Sequence, residues 1–179
     1  MMISASALEL LTLYLGLDLI WPGSPDELVL PYRKMKELMR PELVAKDLIR
    51  SYTVFSDQYQ TLIDDLNACD FSEAATPPTL FLYPYDWRKS VGDAAEGLAN
   101  LIDRALDQHG GAAEISLVAH SMGGLLGRHY LESGRFTTRP GFPAVRRLIT
   151  LGTPHRGSPL ALTAAMGMEK RLFLNRDQV

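Results

Sequence analysis

The residues best suited to chemistry are a serine and its small neighbours in the run Ala119–Gly124 (AHSMGG). A nucleophile elbow places a serine on a sharp, strained turn from a strand into a helix. The residues two positions before and after that serine must therefore be small, as Ala119 and Gly123 are. The usual first residue is glycine, so Ala119 departs from the pattern by one methyl group. The run predicts that Ser121 is a nucleophile, although Ser-x-Gly alone also suits a simple helix N-cap.

The start of the helix after Ser121 offers a second chemical group. Met122 follows the serine directly, and a backbone N–H at a helix start has no acceptor within the helix. The helix dipole also favours negative charge at that end. An oxyanion formed on a carbon attacked by Ser121 would lie beside this N–H, so we expect Met122 to be a backbone oxyanion donor.

The elements around this serine follow the order strand, helix, strand, helix, strand. Ser90 is the expected N-cap of the first helix, which has an apolar stripe at helical spacing. A further helix is predicted upstream of this strand and helix series, after an N-cap at Ser56. The predicted strands are 79–83, 115–119 and 145–151, and the predicted helix after the serine is 123–133. This order predicts an α/β fold, a parallel sheet with helices on both faces.

Composition restricts the class of protein. The 179 residues are 46% apolar and 22% charged, which is typical of one soluble globular domain. A net charge of −3 argues against a nucleic-acid partner. The single cysteine, Cys69, excludes an intramolecular disulfide framework and a multi-cysteine metal site. We predict no metal and no cofactor.

Membrane and targeting signals are weak. The apolar stretch Leu8–Trp21 carries Glu9 and Asp18, is too short to span a bilayer, and follows no Lys or Arg. We therefore expect a cytoplasmic protein without a transmembrane segment. Within one partial domain over 1–179, we predict a proline-rich, lid-like segment at 22–55 and a strand and helix core at 79–165.

Three sequence blocks together resemble one family. They are Tyr83–Arg88 (YPYDWR), Leu117–Leu125 (LVAHSMGGL) and Ile149–Pro159 (ITLGTPHRGSP). The chain resembles the lecithin:cholesterol acyltransferase family of α/β-hydrolases over about residues 13–165. The first block is the distinguishing one, because many lipases share the other two.

The resemblance implies an α/β-hydrolase fold and acyl transfer from a lipid ester through an acyl-Ser121 intermediate. The acceptor is a lipid alcohol in the transferases of the family and water in its lipases. The Met122 N–H would be an oxyanion donor by matching position. The implied partner is a lipid ester, with peripheral lipid contact.

The residues around the serine allow two kinds of role. Trp87 and Arg88 are candidate substrate-binding residues, although Trp87 also suits packing under its loop and Arg88 an ion pair with Asp86. Structural roles near the site are expected for Asp86, His120, Gly123 and His155. For His155 the turn residues around it favour a structural hydrogen bond over a part in the reaction.

The expected triad partners of Ser121 are missing from the sequence. A triad in this fold has the order serine, acid, histidine. Here Glu132 lies on the helix that directly follows the serine, and Glu169 and Asp177 both follow the last histidine, His155. The resemblance implies a proline- and glycine-rich oxyanion loop before Trp21, but residues 1–20 contain no such loop and Gly16 is their only glycine, so the second oxyanion donor is unassigned. These features predict a domain truncated at both ends.

Three functional hypotheses follow. The chain is a lipid acyltransferase or lipase, a general serine esterase, or a catalytically inactive fragment that binds a lipid or a partner. Truncation also predicts self-association through an exposed sheet edge.

Overall fold

The described residues form a mixed helix and strand structure. The computed structural model describes residues 44–48, 50–53, 56–57, 59–87 and 89–159. The Leu8–Trp21 stretch, most of the proline-rich segment 22–55, and Glu169 and Asp177 lie outside the described residues. In chain order the elements are β1 (Ser51–Thr53), β2 (Ser56–Asp57), α1 (Gln60–Ala68), α2 (Val91–Gln108), β3 (Ile115–His120), α3 (Met122–Glu132), a 3₁₀-helix (Phe142–Ala144) and β4 (Val145–Leu151).

Two strands carry the site and pair in parallel. β3 and β4 run from the pair Ile115 and Val145 to the pair His120 and Leu151, with a register shift after the first pair. A separate antiparallel pair joins β1 to β2. Parallel pairing through a helical crossover is consistent with the α/β class predicted above. The carboxyl ends of β3 and β4 lie side by side, immediately before Ser121.

The long helix α2 begins and packs as its sequence predicts. The side chain of Ser90 accepts a hydrogen bond from the Asp93 backbone N–H at 3.0 Å, which satisfies one of the unpaired donors of the helix start. Its buried residues are Ala94, Ala95, Leu98, Ala99, Ile102 and Ala105. Small residues predominate on this face, so neighbouring elements can approach α2 closely.

The core lies between α2, α3 and the loop after α3, which carries Phe136. Its largest fully buried side chains are Tyr130 and Phe136, whose ring centroids lie 5.1 Å apart. The buried cluster comprises Tyr85, Ala94, Ala95, Leu98, Ala99, Ile102, Leu126, Tyr130 and Phe136. Leu117 of β3 and Val145 of β4 pack against it. One face of the small sheet is therefore covered by the helices.

The predicted strand at 79–83 is wrong. The segment 78–86 pairs with no strand among the described residues. The backbone N–H groups of Thr79 and Leu80 donate to the Ser72 carbonyl, and the Tyr83 hydroxyl donates to the Ala94 carbonyl of α2 at 2.7 Å. An apolar run forms a strand only when it pairs with another strand, and here the Ser72 carbonyl and α2 hold the run instead.

The predicted N-cap at Ser56 is also wrong. Ser56 belongs to β2, and α1 begins at Gln60 after Tyr59. The backbone N–H groups of Tyr59 and Gln60 both donate to the Arg50 carbonyl at 3.1 Å. The Arg50 carbonyl thus caps the start of α1 in place of Ser56, which the sequence predicted as the cap.

Candidate functional site

Ser121 lies in a strained turn between β3 and α3. Its backbone has φ 53° and ψ −127°, a left-handed conformation that side-chain-bearing residues seldom adopt. The Ser121 N–H donates to the Leu151 carbonyl at 2.8 Å, and the Ser121 carbonyl accepts from the Gly124 N–H at 3.1 Å. The Ser121 side chain makes no capping hydrogen bond to α3. The serine is therefore not a conventional N-cap, because its hydroxyl does not bond to the helix that it precedes.

Met122 is the first residue of α3. Its N–H thus has no acceptor within the helix and lies at the positive end of the helix dipole. The Met122 side chain packs against the core cluster, which fixes the start of the helix. A backbone N–H held in this way is suited to stabilise negative charge that develops at the preceding serine.

The two glycines after Met122 have different surroundings. A Cβ added at Gly123 would lie 3.8 Å from the Ala119 Cβ, an ordinary contact. A Cβ added at Gly124 would overlap Oγ1 of Thr153 and lie 2.7 Å from its Cγ2. The absence of a side chain at Gly124 therefore allows the turn after β4 to approach α3. The methyl group of Ala119 is tolerated two positions before Ser121, because even a Cβ added at Gly123 would lie an ordinary 3.8 Å away.

His120 is bound by a residue from a distant part of the chain. The Tyr59 hydroxyl and His120 Nδ1 share a hydrogen bond of 2.8 Å, and the two rings pack edge to face with centroids 5.6 Å apart. Partial burial lowers the pKa of His120 below its usual value, so the neutral imidazole is favoured. Sequence reasoning missed Tyr59, because its contact spans 61 positions and has no local signal.

The two tyrosines of the YPYDWR block lie close to α2 and to Tyr59, since Tyr83 donates to the Ala94 carbonyl and Tyr59 lies near Tyr85. Tyr85 is buried, and its ring stacks on that of Tyr83 with centroids 6.1 Å apart. Burial, and to a lesser degree the nearby Tyr59 and Tyr83, raises the pKa of Tyr85 to about 12. Asp86 is 9% exposed, and its Oδ2 lies 3.9 Å from Nζ of Lys89. Among the described residues, Lys89 is thus a cation that lies beside Asp86, and the predicted pairing with Arg88 lies outside them.

No described contact joins Trp87, one of the two candidate substrate-binding residues, to Ser121. Trp87 is 39% exposed, and Arg88 lies outside the described residues. A pocket of about 220 Å³ borders Tyr85, Asp86 and Lys89, and one of about 440 Å³ borders Lys46, Arg50, Phe81 and neighbouring residues. Neither borders Ser121 or Trp87.

His155 follows β4 and contacts α3. Arg128 of α3 approaches His155 Nδ1 through its guanidinium at 3.4 Å, and His155 Nε2 lies 3.4 Å from the Thr150 hydroxyl. Arg128 also forms an ion pair with Glu132 at 2.6 Å. This pairing lowers the pKa of the Glu132 carboxyl and raises that of Arg128. His155 therefore joins the turn after β4 to the outer face of α3.

None of the four histidines is hydrogen-bonded to Ser121, and all four lie within the described residues. His109 contacts the Pro78 carbonyl at 2.8 Å, and Nε2 of His129 is buried without a partner among the described atoms. His120 and His155 have the partners given above. The arrangement thus has the serine beside the helix-start N–H of Met122, with no histidine hydrogen-bonded to the serine.

The described ranges contain no group of three or more His, Cys, Asp or Glu side chains arranged to hold a metal ion. Within the same part of the chain, no helix has the length and apolar character needed to cross a membrane.

One comparison with known proteins gives a match. The family model described as lecithin:cholesterol acyltransferase matches residues 44–175. The interval contains all three sequence blocks, and it starts later than the resemblance from about residue 13 predicted. No curated protein and no solved structure matches the chain significantly.

Proposed function

The chain belongs to the lecithin:cholesterol acyltransferase family, and we propose that Ser121 is the nucleophile with which it transfers acyl groups from lipid esters. The observation that carries this proposal is the φ of 53° at a serine between a parallel strand and a helix. Such strain persists only where the surrounding structure imposes it, and it concentrates at functional sites. The family indicates lipid acyltransferase or lipase activity at a general level.

The proposed reaction has two steps. Ser121 Oγ attacks the ester carbonyl carbon, and the resulting oxyanion accepts a hydrogen bond from the Met122 N–H. The bond from that carbon to the alcohol oxygen then breaks, the alcohol leaves with a proton, and an acyl-serine ester results. In the second step an oxygen of water or of a lipid alcohol attacks the acyl group and releases Ser121.

The proton of Ser121 must pass to a base, and no histidine of the chain is hydrogen-bonded to the serine. A site without its triad retains about a 10³–10⁴-fold advantage over water when its oxyanion hole is complete, and here Met122 is the one donor assigned. We therefore expect the isolated chain to react slowly at Ser121.

A fluorophosphonate probe tests the proposal, because it phosphonylates activated serines. We expect slow labelling of the folded chain that disappears in Ser121→Ala. Ser116→Ala is the matched control, since Ser116 is an exposed serine on the same strand, and it should label as the wild type does. A folded sample without labelling, or labelling that survives in Ser121→Ala, would contradict the proposal.

A second candidate function is the binding of lipid esters without acyl transfer. It is favoured because, among the described residues, no histidine is hydrogen-bonded to Ser121. A fluorescent phospholipid analogue separates the two functions. Saturable binding with no acylated protein by mass spectrometry would favour binding alone.

A further inference from the structure

Tyr59 connects a distant part of the chain to the residue immediately before Ser121. We propose that Tyr59 is a positioning residue for Ser121, because its hydrogen bond to His120 holds the end of β3 from which the strained turn begins. This inference rests on the proposed function for its catalytic consequence. Its structural basis is the 2.8 Å contact between the Tyr59 hydroxyl and His120 Nδ1.

The turn at Ser121 needs restraint on both sides because its backbone is in an unfavourable region. On the far side, α3 packs on the core and Gly124 lies against Thr153. On the near side, β3 ends at His120, and the ladder to β4 continues through the Ser121 N–H bond to Leu151. The His120 side chain is an additional attachment point on the near side.

Tyr59 is well placed to restrain His120, because Tyr59 is itself fixed. Its backbone N–H and that of Gln60 both donate to the Arg50 carbonyl at 3.1 Å. Its phenol also lies close enough to the buried Tyr85 to contribute to the raised pKa of that residue. The edge-to-face packing on His120 adds a directional contact to the hydrogen bond.

The restraint acts on the sheet face that the helices leave open. Side chains alternate along a strand, so His120 shares its face with Ser116 and Val118, which are exposed. Tyr59 reaches His120 on this face. Losing the hydroxyl should therefore loosen the end of β3 without disturbing the core beneath it.

The variant Tyr59→Phe tests this role, because it removes the hydroxyl and keeps the ring. We expect the nitrogen resonance of His120 Nδ1 to shift and amide hydrogen exchange at Ser121 to accelerate about 2- to 10-fold, as one hydrogen bond predicts. Fluorophosphonate labelling per folded molecule should slow by a similar factor. Exchange at Leu117, in the middle of β3, should not change.

Tyr130→Phe is the matched control. Tyr130 is fully buried, and the described atoms give its hydroxyl no hydrogen-bond partner. Its loss should leave both the labelling rate and exchange at Ser121 unchanged. His120→Phe removes the same bond from the other side, so it should reproduce the effects of Tyr59→Phe, and the double variant should add nothing further.

Two results would overturn the positioning role. One is wild-type exchange and labelling at Ser121 in a folded Tyr59→Phe protein. The other is an equal change in Tyr130→Phe. If the wild type itself does not label, the proposed function fails, and amide exchange at Ser121 still decides whether Tyr59 restrains the turn.

Discussion

At the scale of single residues, the strain at Ser121 is the central feature of the site. A side-chain-bearing residue with φ 53° is held there by its backbone bonds to Leu151 and Gly124 and by the packing of α3. The sequence run Ala119–Gly124 predicted this turn, because small residues around a serine are needed only where the backbone turns sharply. Because this strain is a property of the folded backbone, it can be measured from protein stability without any substrate.

Substitution of Ser121 by glycine and by alanine should reveal that strain. Both variants lack the hydroxyl, but glycine adopts positive φ freely and alanine does not. Relief of about 1–3 kcal/mol of strain, partly offset by the entropy of glycine, should make Ser121→Gly about 1 kcal/mol more stable than Ser121→Ala. Chemical denaturation measures both free energies of unfolding.

Ser133 provides the control for this comparison, because its φ of −73° is helical. There the order should reverse, with alanine more stable than glycine by about 0.5–1 kcal/mol. If alanine is the better residue at both positions, the turn at Ser121 is not strained as described.

His120 should make the stability of the protein depend on pH. Burial lowers its pKa in the folded state, so the unfolded chain binds a proton at a higher pH than the folded chain does. The stability that His120 contributes is present above about pH 6.5 and is lost as the pH falls below that value. In His120→Gln, the free energy of unfolding should change less between about pH 5 and pH 7. An identical slope in the variant and the wild type would contradict this assignment.

At the scale of elements, helices and parallel strands close to the serine were well predicted from the sequence. α2, β3, α3 and β4 lie within one or two residues of their predicted positions. Their apolar periodicity and end signals, such as Ser90, are local. The segment 79–83 and the start of α1 were mispredicted, because strand pairing and the Arg50 cap depend on residues that are distant in the sequence.

The candidate site likewise has a part that the local sequence predicts and a part that depends on distant residues. Ser121 and Met122 are neighbours in the sequence, so their geometry at the end of β3 could be predicted. Tyr59 meets His120 across 61 positions, and Lys89 lies 3.9 Å from Asp86, whereas the predicted pairing of Asp86 with Arg88 lies outside the described residues. Such contacts depend on the folded arrangement and leave no pattern in the local sequence.

The contact between α3 and the turn after β4 should tolerate no side chain at Gly124. An added Cβ would overlap Thr153, so Gly124→Ala should lower the free energy of unfolding by about 1–3 kcal/mol through overpacking. Gly123→Ala is the control, because its Cβ meets Ala119 at 3.8 Å and alanine favours the helix by up to about 1 kcal/mol. Thermal unfolding of both variants decides the matter, and equal melting temperatures would contradict the close approach.

At the scale of the whole molecule, one face of the β3 and β4 sheet carries exposed apolar side chains. Val118, Ile149 and Leu151 are 41%, 46% and 39% exposed, and Val118 pairs with Ile149 in the register of the sheet. Contiguous apolar surface of this kind favours association. The self-association predicted from the sequence would thus involve a sheet face as well as an edge.

Light scattering over a range of concentrations tests this association. We expect the apparent mass to rise with concentration, and Ile149→Thr to reduce the rise. Phe71→Thr is the matched control, because Phe71 is also 46% exposed but lies outside the sheet. A wild type that stays monomeric at all concentrations would contradict the prediction, as would an equal effect of the two substitutions.

The central claim is that a lipid ester acylates Ser121, and the intermediate itself can be weighed. The folded chain is incubated with a phospholipid, quenched in acid and digested, and its peptides are analysed by mass spectrometry. The account predicts the mass of one acyl group on the peptide that contains Ser121, and its loss in Ser121→Ala. Acyl mass on a different residue, or none on a folded chain that binds the lipid, would contradict it.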